Sequence, residues 1–253
     1  MDNEKRLVVT IVIGEEIGSL AKYTVPTMEA YAKKVGADFK QLGKTEISDK
    51  YLEPYEKNQI RKFFDKYDKV LFIDADILVT PDAADFFDAC EGDNMGMVSV
   101  DKYYPVAERE KKNLQKVLGE VDWKKDYFNA GVMLYTSKYQ HVLNTDDGLI
   151  DKWRAAQAKG MDGRNDQSIF NYRVNKHDIP TTFVDRGFNF TRVFGCFEKR
   201  FSQYFIHYAG LKGNRLTRIK VDNYVMNTPL LYKILKKCPK VTWVFDRVIL
   251  RIL

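Results

Sequence analysis

Val70-Leu71-Phe72-Ile73-Asp74-Ala75-Asp76-Ile77-Leu78-Val79 is the stretch on which the reading of this chain turns. Four apolar residues run into Asp74, and three more follow Asp76. A short continuous apolar run of this kind is a strand buried on both faces of a sheet. Ionised carboxylates do not belong inside such a strand. Burying one costs roughly several kcal/mol unless a cation or hydrogen bonds compensate. Two acids one residue apart deepen the problem. A strand followed by a turn with solvated acids is one resolution. The apolar flanks on both sides favour another: the strand ends at Asp74, at the carboxyl edge of the sheet, and a divalent metal sits between the acids.

Outward from that strand, the pattern alternates. Leu7 to Ile13 is β-branched and apolar and stops at Gly14, as a central first strand would. Leu20, Tyr23, Met28, Tyr31 and Val35 recur near helical spacing, with a kink or restart at Pro26 and a cap at Gly36. Asp38 to Leu42 is a second short strand, and Tyr55 to Tyr67 an amphipathic helix with Ile60, Phe63, Phe64 and Tyr67 on one face. Strand, helix, strand, helix, strand predicts an α/β fold with a mostly parallel central sheet. Beyond it, a short helix is expected from Pro81-Asp82 through Phe87, a strand over Met95 to Val100, and a helix over Lys111 to Leu118. A strand over Tyr127 to Tyr135 is interrupted by Asn129-Ala130-Gly131, and a helix over Ser137 to Ala158 is broken near Gly148. Asp166 is the expected N-cap of a helix over Gln167 to Val174. Phe205 to Gly210 is a short strand running into a glycine turn, and from Asn227 the chain is helical with a break at Pro239.

With 253 residues, 45% of them apolar, the chain can bury one substantial core. The net charge of +6 is unevenly placed. From Leu230 onward there are six basic residues (Lys233, Lys236, Lys237, Lys240, Arg247, Arg251) and one acid, Asp246, which leaves 35 basic and 34 acidic residues elsewhere. A near-neutral globule with a basic tail is not the charge pattern of a nucleic-acid binder. The expected division is therefore 1–226 for the main domain and 227–253 for a basic amphipathic helical tail. Three scattered cysteines, Cys90, Cys196 and Cys238, offer no metal spacing or disulfide framework and suit a reducing compartment. The charged start, Met1 to Arg6, leads into an apolar run too short for a signal peptide. No stretch approaches the roughly 18 apolar residues of a membrane span. The expected location is cytoplasmic, with the tail as a possible peripheral attachment to an anionic membrane surface. In the tail, Phe245, Val248, Ile249 and Ile252 recur at helical spacing, with Arg247 and Arg251 on another face.

Asp74, Asp76, Asp101, Asn129, Asp166 and His207 all fall at strand ends, where open α/β sheets bind ligands. Singly, Asn129 is also a turn residue, Asp166 a helix cap and His207 an ordinary core histidine. Together, four blocks in order resemble the glycosyltransferases of the GT-A fold, most closely family eight, which includes glycogenin and the bacterial lipopolysaccharide galactosyl- and glucosyltransferases. The blocks are Tyr67 to Val79, Tyr127-Phe128-Asn129-Ala130-Gly131-Val132-Met133-Leu134, Asp166-Gln167-Ser168-Ile169-Phe170-Asn171 and His207-Tyr208-Ala209-Gly210. The resemblance spans Leu7 to Leu211.

That resemblance implies a single GT-A domain and transfer, with retention, of a sugar from a nucleotide diphosphosugar. The expected donor is a UDP-sugar, and the expected acceptor a glycan, glycolipid or protein. It implies Asp74, Asp76 and His207 as ligands of Mn²⁺ or Mg²⁺; two carboxylates, an imidazole and diphosphate oxygens suit Mn²⁺. Lys57 and Lys212 are implied near the donor, Thr10 and Val12 beside the nucleobase, and Asp101, Asn129, Asp166 and Gln167 at the sugar. Asp166 and Gln167 are the candidate nucleophiles, with front-face attack by the acceptor as the alternative. The family's Lys-Pro-Trp, six residues after the histidine, is replaced by Lys212-Gly213-Asn214-Arg215, which begins five residues on. A sugar-nucleotide nucleotidylyltransferase would also need metal and acids, but it would carry a basic glycine-rich loop where Gly14-Glu15-Glu16-Ile17-Gly18 stands. A non-catalytic sugar- or glycan-binding module would not need the three metal ligands together.

Overall fold

The computed structural model describes residues 4–210 and 215–252; Lys212 lies outside them. The chain runs β1 (Arg6–Ile11), α1 (Gly14–Lys34), β2 (Asp38–Leu42), α2 (Glu46–Lys50), a 3-10 stretch Glu53–Phe63, β3 (Lys69–Ile73) and β4 (Ile77–Val79). Then come β5 (Met95–Ser99), α3 (Ala107–Leu118), β6 (Phe128–Thr136), α4 (Leu149–Ala158) and α5 (Asp166–Lys176). The last elements are β7 (Thr181–Phe183), β8 (Phe205–His207), α6 (Arg215–Met226), α7 (Pro229–Lys237) and α8 (Pro239–Ile252).

The main sheet has the order β2-β1-β3-β6-β5-β7. β1 pairs in parallel with β2 and β3, and β5 with β7, whereas β6 is antiparallel to both β3 and β5. The sheet is mostly parallel, and the one reversed strand matters most for the site. Because β6 runs against β3, its first residues arrive at the carboxyl end of β3, with Val132 opposite Ile73. Its pairing with β5 jumps from Asn129 opposite Val98 to Met133 opposite Met97. Residues 130–132 thus have no β5 partner, and a bulge of this kind re-aims the strand beside a site. Two apolar layers cover the sheet, one holding Val8, Leu71, Ile73 and Phe86, the other Leu7, Val9, Phe72 and Met133.

Four local expectations differ. The first half of the helix expected over Ser137 to Ala158 is a 3-10 segment over Ser137–Leu143. The stretch Glu53–Phe63 is 3-10, not an α-helix with one apolar face. Glu56, Lys57, Asn58 and Gln59 are all buried in succession, which a one-faced helix cannot do. Glu56 is held by the Thr45 and Ser48 N–H groups and hydroxyls. No helix forms from Pro81 to Phe87. The backbone there is taken by side chains: Phe86 N–H donates to the Tyr31 hydroxyl and Phe87 N–H to Asp85. Finally, α5 starts at Asp166 itself, with Asn165 before it and no side-chain cap.

The C-terminal helices pack on the globule. Tyr232 and Leu235 of α7 join Leu20, Leu78, Phe201, Ile206 and Tyr208 in a third apolar cluster, and Phe245 of α8 packs against it. Phe245, which the sequence pattern put on an outward face with Val248, therefore faces inward. The side chains of Ile249, Arg251 and Ile252 lie outside the described residues.

Candidate active site

β3 ends at Ile73 because the chain turns there: Ile77 N–H donates to the Asp74 carbonyl at 3.1 Å. Asp74 N–H donates to the carbonyl of Gly131, at 2.7 Å, on the β6 bulge. The chain then pairs β4 with β8, with Ile77 opposite His207, and Tyr208 N–H donates to the Asp76 carbonyl at 3.1 Å. The register of this two-stranded sheet therefore delivers His207 to the two acids. One ligand atom from each of Asp74, Asp76 and His207 lies within 4.8 Å of the others. His207 Nε2 is 3.2 Å from Asp76 Oδ1 and 3.8 Å from Asp74 Oδ2.

The two acids titrate in opposite directions. Burial pushes Asp74 up to about 6, against the pull of Lys57 and His207. Burial also works against ionised Asp76, but His207 and Arg215 outweigh it and its pKa is lowered. Burial likewise opposes the His207 cation, yet Asp76 and then Asp74 raise its pKa. Asp74 is the incompletely compensated anion of the set, and its side chain is 30% exposed to the cleft.

Buried Lys57 sits between this group and α5. Its Nζ is 2.7 Å from Asp166 Oδ2 and 3.3 Å from Asp74 Oδ1, donates to the Ala130 carbonyl at 3.0 Å, and lies over the Phe72 ring. Gln167 Oε1 accepts from Asn129 Nδ2 (3.1 Å) and Ala130 N–H (3.3 Å).

Two adjoining cavities share Lys57, Asp74, Asp76 and Asp166. One, of about 280 Å³, has apolar walls from Ile11, Ile13, Ile17, Pro54 and Phe72. The other, of about 450 Å³, is lined by Tyr104, Asn129, Arg164, Gln167, Thr191 and His207 among others. Ile11 and Ile13, not Thr10 and Val12, are on the first cavity's wall. Successive strand side chains face opposite ways, and Leu7, Val9 and Ile11 share one face. Thr10 is fully buried. Asp101 is not among the lining residues; it accepts from Tyr127 N–H at 2.9 Å and Lys111 Nζ at 2.6 Å, bracing the strand ends behind Tyr104.

The family model for glycosyl transferase family 8 matches residues 15–212. The chain belongs to glycosyl transferase family 8. Its fold agrees with that of solved glycosyltransferases. The galactosyltransferase LgtC, solved in complex with donor and acceptor sugar analogs, is 17% identical, with a TM-score of 0.57 over 85% of this chain and 95% of that one. A glycosyltransferase involved in glycosylation of the major capsid of PBCV-1 is 14% identical, with a TM-score of 0.56 over 86% and 99%. The bifunctional WbbM is 16% identical, with a TM-score of 0.57 over 92% of this chain and 52% of that one. No match was found among curated proteins. The family 8 chain is thus a glycosyltransferase with a GT-A fold.

Several residues of this family 8 cleft carried no sequence signal. Arg215 puts Nη1 2.9 Å from Asp76 Oδ2 and also pairs with Glu16. Arg164 donates to the Tyr104 hydroxyl at 2.8 Å. Asn189 is fully buried and touches His207. An isolated Arg or Asn is indistinguishable by letter from a solvated one; only the Phe188-Asn189-Phe190 context, a polar residue between aromatics, hinted at burial.

Proposed function

We propose that this glycosyltransferase moves a sugar from a nucleotide diphosphosugar, a UDP-sugar, to a glycan, glycolipid or protein acceptor, with retention of anomeric configuration. The observation that carries the reading is the pair of cavities meeting at Asp74 and Asp76: an apolar recess for a nucleobase and a polar one for a sugar. A diphosphate spanning them would lie against the acids, which is unfavourable unless a cation separates them. The donor set fits Mn²⁺ or Mg²⁺ held by Asp74, Asp76 and His207, because Asp74 is an incompletely compensated, half-buried acid open to the cleft and His207 turns Nε2 to both carboxylates. Such an ion supplies Lewis-acid stabilisation of the leaving diphosphate.

The protein's own groups do the rest. Lys57 fixes the side chains of Asp74 and Asp166 so that the polar cavity keeps its shape. Asn129 and Gln167 present amides to the sugar hydroxyls. Asp166 Oδ2 is engaged by Lys57, and Gln167 Oε1 by two N–H donors. Gln167 Oε1 is thereby taken up, which leaves the Asp166 carboxylate as nucleophile or front-face attack by the acceptor hydroxyl as the two paths. The test is slow hydrolysis across a panel of UDP-sugars. Metal-dependent release of UDP from one or a few donors is the expected result; no release from any donor, with or without metal, contradicts it.

The C-terminal helices form the second part of the reading: peripheral attachment of a cytoplasmic enzyme to an anionic membrane surface. No helix among the described residues is long and apolar enough to cross a membrane. The inward faces of α7 and α8 are already used, by Tyr232, Leu235, Thr242 and Phe245. Yet Leu230, Ile234, Val241, Val244 and Val248 are exposed on the other side, by 43–72% each. Lys233, Lys237 and Lys240 accompany them, and the Arg247 guanidinium lies 3.6 Å over the Trp243 ring. An apolar stripe set among cations fits an interface of anionic headgroups, at up to about 1 kcal/mol per basic residue. Replacing Leu230, Ile234 and Val244 together by Gln leaves the inward face intact. The triple variant should lose co-sedimentation with phosphatidylglycerol vesicles, and wild-type binding should fall with salt. Equal binding of both proteins would return this face to the solvent.

A further inference from the structure

Three amide groups connect the backbone of the β6 bulge to the far side of the His207 ring. Gly131 N–H, which can only donate, is 2.9 Å from Asn129 Oδ1. That bond fixes which way the Asn129 amide faces. Asn189 Nδ2 lies 2.9 Å from the same oxygen and 3.5 Å from the Asn129 carbonyl, both acceptors. The opposite orientation would set oxygen against oxygen in a site where Asn189 is fully buried. So Asn189 must turn its own Oδ1 the other way, and it meets His207 Nδ1 at 2.7 Å. An oxygen there requires a proton on Nδ1. The nitrogen left to lose its proton is Nε2, which faces Asp74 and Asp76.

We propose that Asn189 is a positioning residue that keeps the proton on His207 Nδ1 and aims Nε2 at the two carboxylates, with its own orientation dictated by Gly131 N–H through Asn129. The relay has a steric counterpart. A Cβ on residue 131 would come within 2.3 Å of His207 Cε1 and 2.9 Å of Asn129 Oδ1, so only glycine leaves room for both amide and ring. The same Asn129 donates to Gln167, so the relay ties the histidine at the diphosphate end to the amide at the sugar end. This outer contact matters to function only if His207 binds metal, and to that extent it rests on the function proposed above. The proton on Nδ1 is a property of the protein alone.

Nitrogen-15 histidine labelling tests it directly, since the chain has only three histidines. In the metal-free wild type, one ring should show a slowly exchanging proton bonded to Nδ1, and adding Mg²⁺ should leave it in place while shifting the Nε2 resonance of the same ring. Asn189→Leu should lose this signal and weaken Mn²⁺ binding, measured by calorimetry, about 10–100-fold, as removal of a ligand's orienting partner does. A wild-type His207 with no proton on Nδ1 overturns the proposal, and needs no variant to fold. So does an Asn189→Leu ring with unchanged signal and metal affinity. A wild-type ring with the Nδ1 proton but an Nε2 resonance that metal does not shift supports the relay and contradicts the metal site instead.

Discussion

Asp76→Asn and His207→Ala are each expected to lower metal-dependent donor turnover by more than about 100-fold, since losing a group that merely supports a ligand already costs about 10–100-fold. Asp76 is the acid with the lowered pKa, held by His207 and Arg215, and is the more firmly ionised of the pair. The asparagine keeps the shape and can still accept from Arg215, so the effect isolates the charge. His207→Ala removes the only nitrogen ligand of the group. Both residues lie at strand ends, one after β3 and one closing β8, so the sheet should persist. Circular dichroism and donor hydrolysis on the same samples separate the two effects. A folded variant with near-wild-type, metal-stimulated turnover would remove that residue from the metal site.

The second large effect is structural. Arg200 is fully buried and binds two acids at once: Asp222 through Nε (2.6 Å) and Nη2 (2.8 Å), and Asp246 of α8 through Nη1 (2.9 Å) and Nη2 (2.7 Å). Burial opposes its charge, but Asp222 and Asp246 more than offset this and raise its pKa. Its guanidinium also lies 4.5 Å from the Phe201 ring centre. Asp222 in turn accepts from the Tyr208 hydroxyl at 2.6 Å, one residue beyond His207. Arg200→Met fills a similar volume but strands a buried carboxylate, and breaking such a pair costs about 3–5 kcal/mol. The melting temperature should fall by roughly 6–20 °C for a chain of this size. Adding Asp222→Asn to Arg200→Met should restore much of the loss, because Asp222 is then uncharged and Asp246 keeps Arg218 as a partner at 3.1 Å. A drop of under about 2 °C for the single variant would mean that water reaches these acids. The same contact means that a chain cut after Asn227 loses Asp246, Tyr232 and Leu235 together. Truncation therefore confounds membrane attachment with folding, and substitutions on the outward face do not.

Much of the site was legible because its residues interrupt patterns that otherwise carry on. Acids at Asp74 and Asp76 break a strand that is apolar on both sides, and Asn129-Ala130-Gly131 breaks another. What stayed hidden depends on phase, direction or distance. Leu7 to Ile13 is apolar at nearly every position, so the letters do not say which alternate set faces the cleft, and Ile11 and Ile13 were indistinguishable from Thr10 and Val12. Strand direction leaves no trace in periodicity, so the reversal of β6 could not be read. An Asp before a helical run is the usual letter of a cap, and the pairing of Asp166 with Lys57 depends on a buried 3-10 stretch remote in sequence. In α7 and α8 apolar residues occupy two faces, and helical spacing alone could not tell the docked face from the exposed one. Asn189 carries no motif; its role comes from a chain of hydrogen bonds that starts at a backbone N–H.

Calorimetric titration of UDP into the wild-type protein and His207→Ala, each with and without Mn²⁺, tests the central claim most directly, because it asks whether the acids, the imidazole and the diphosphate share one ion. UDP should bind the wild type at least about tenfold more tightly with Mn²⁺, a difference of about 1.4 kcal/mol, and His207→Ala should lose that increment. UDP binding that is equally tight with and without metal in the wild type would contradict the account.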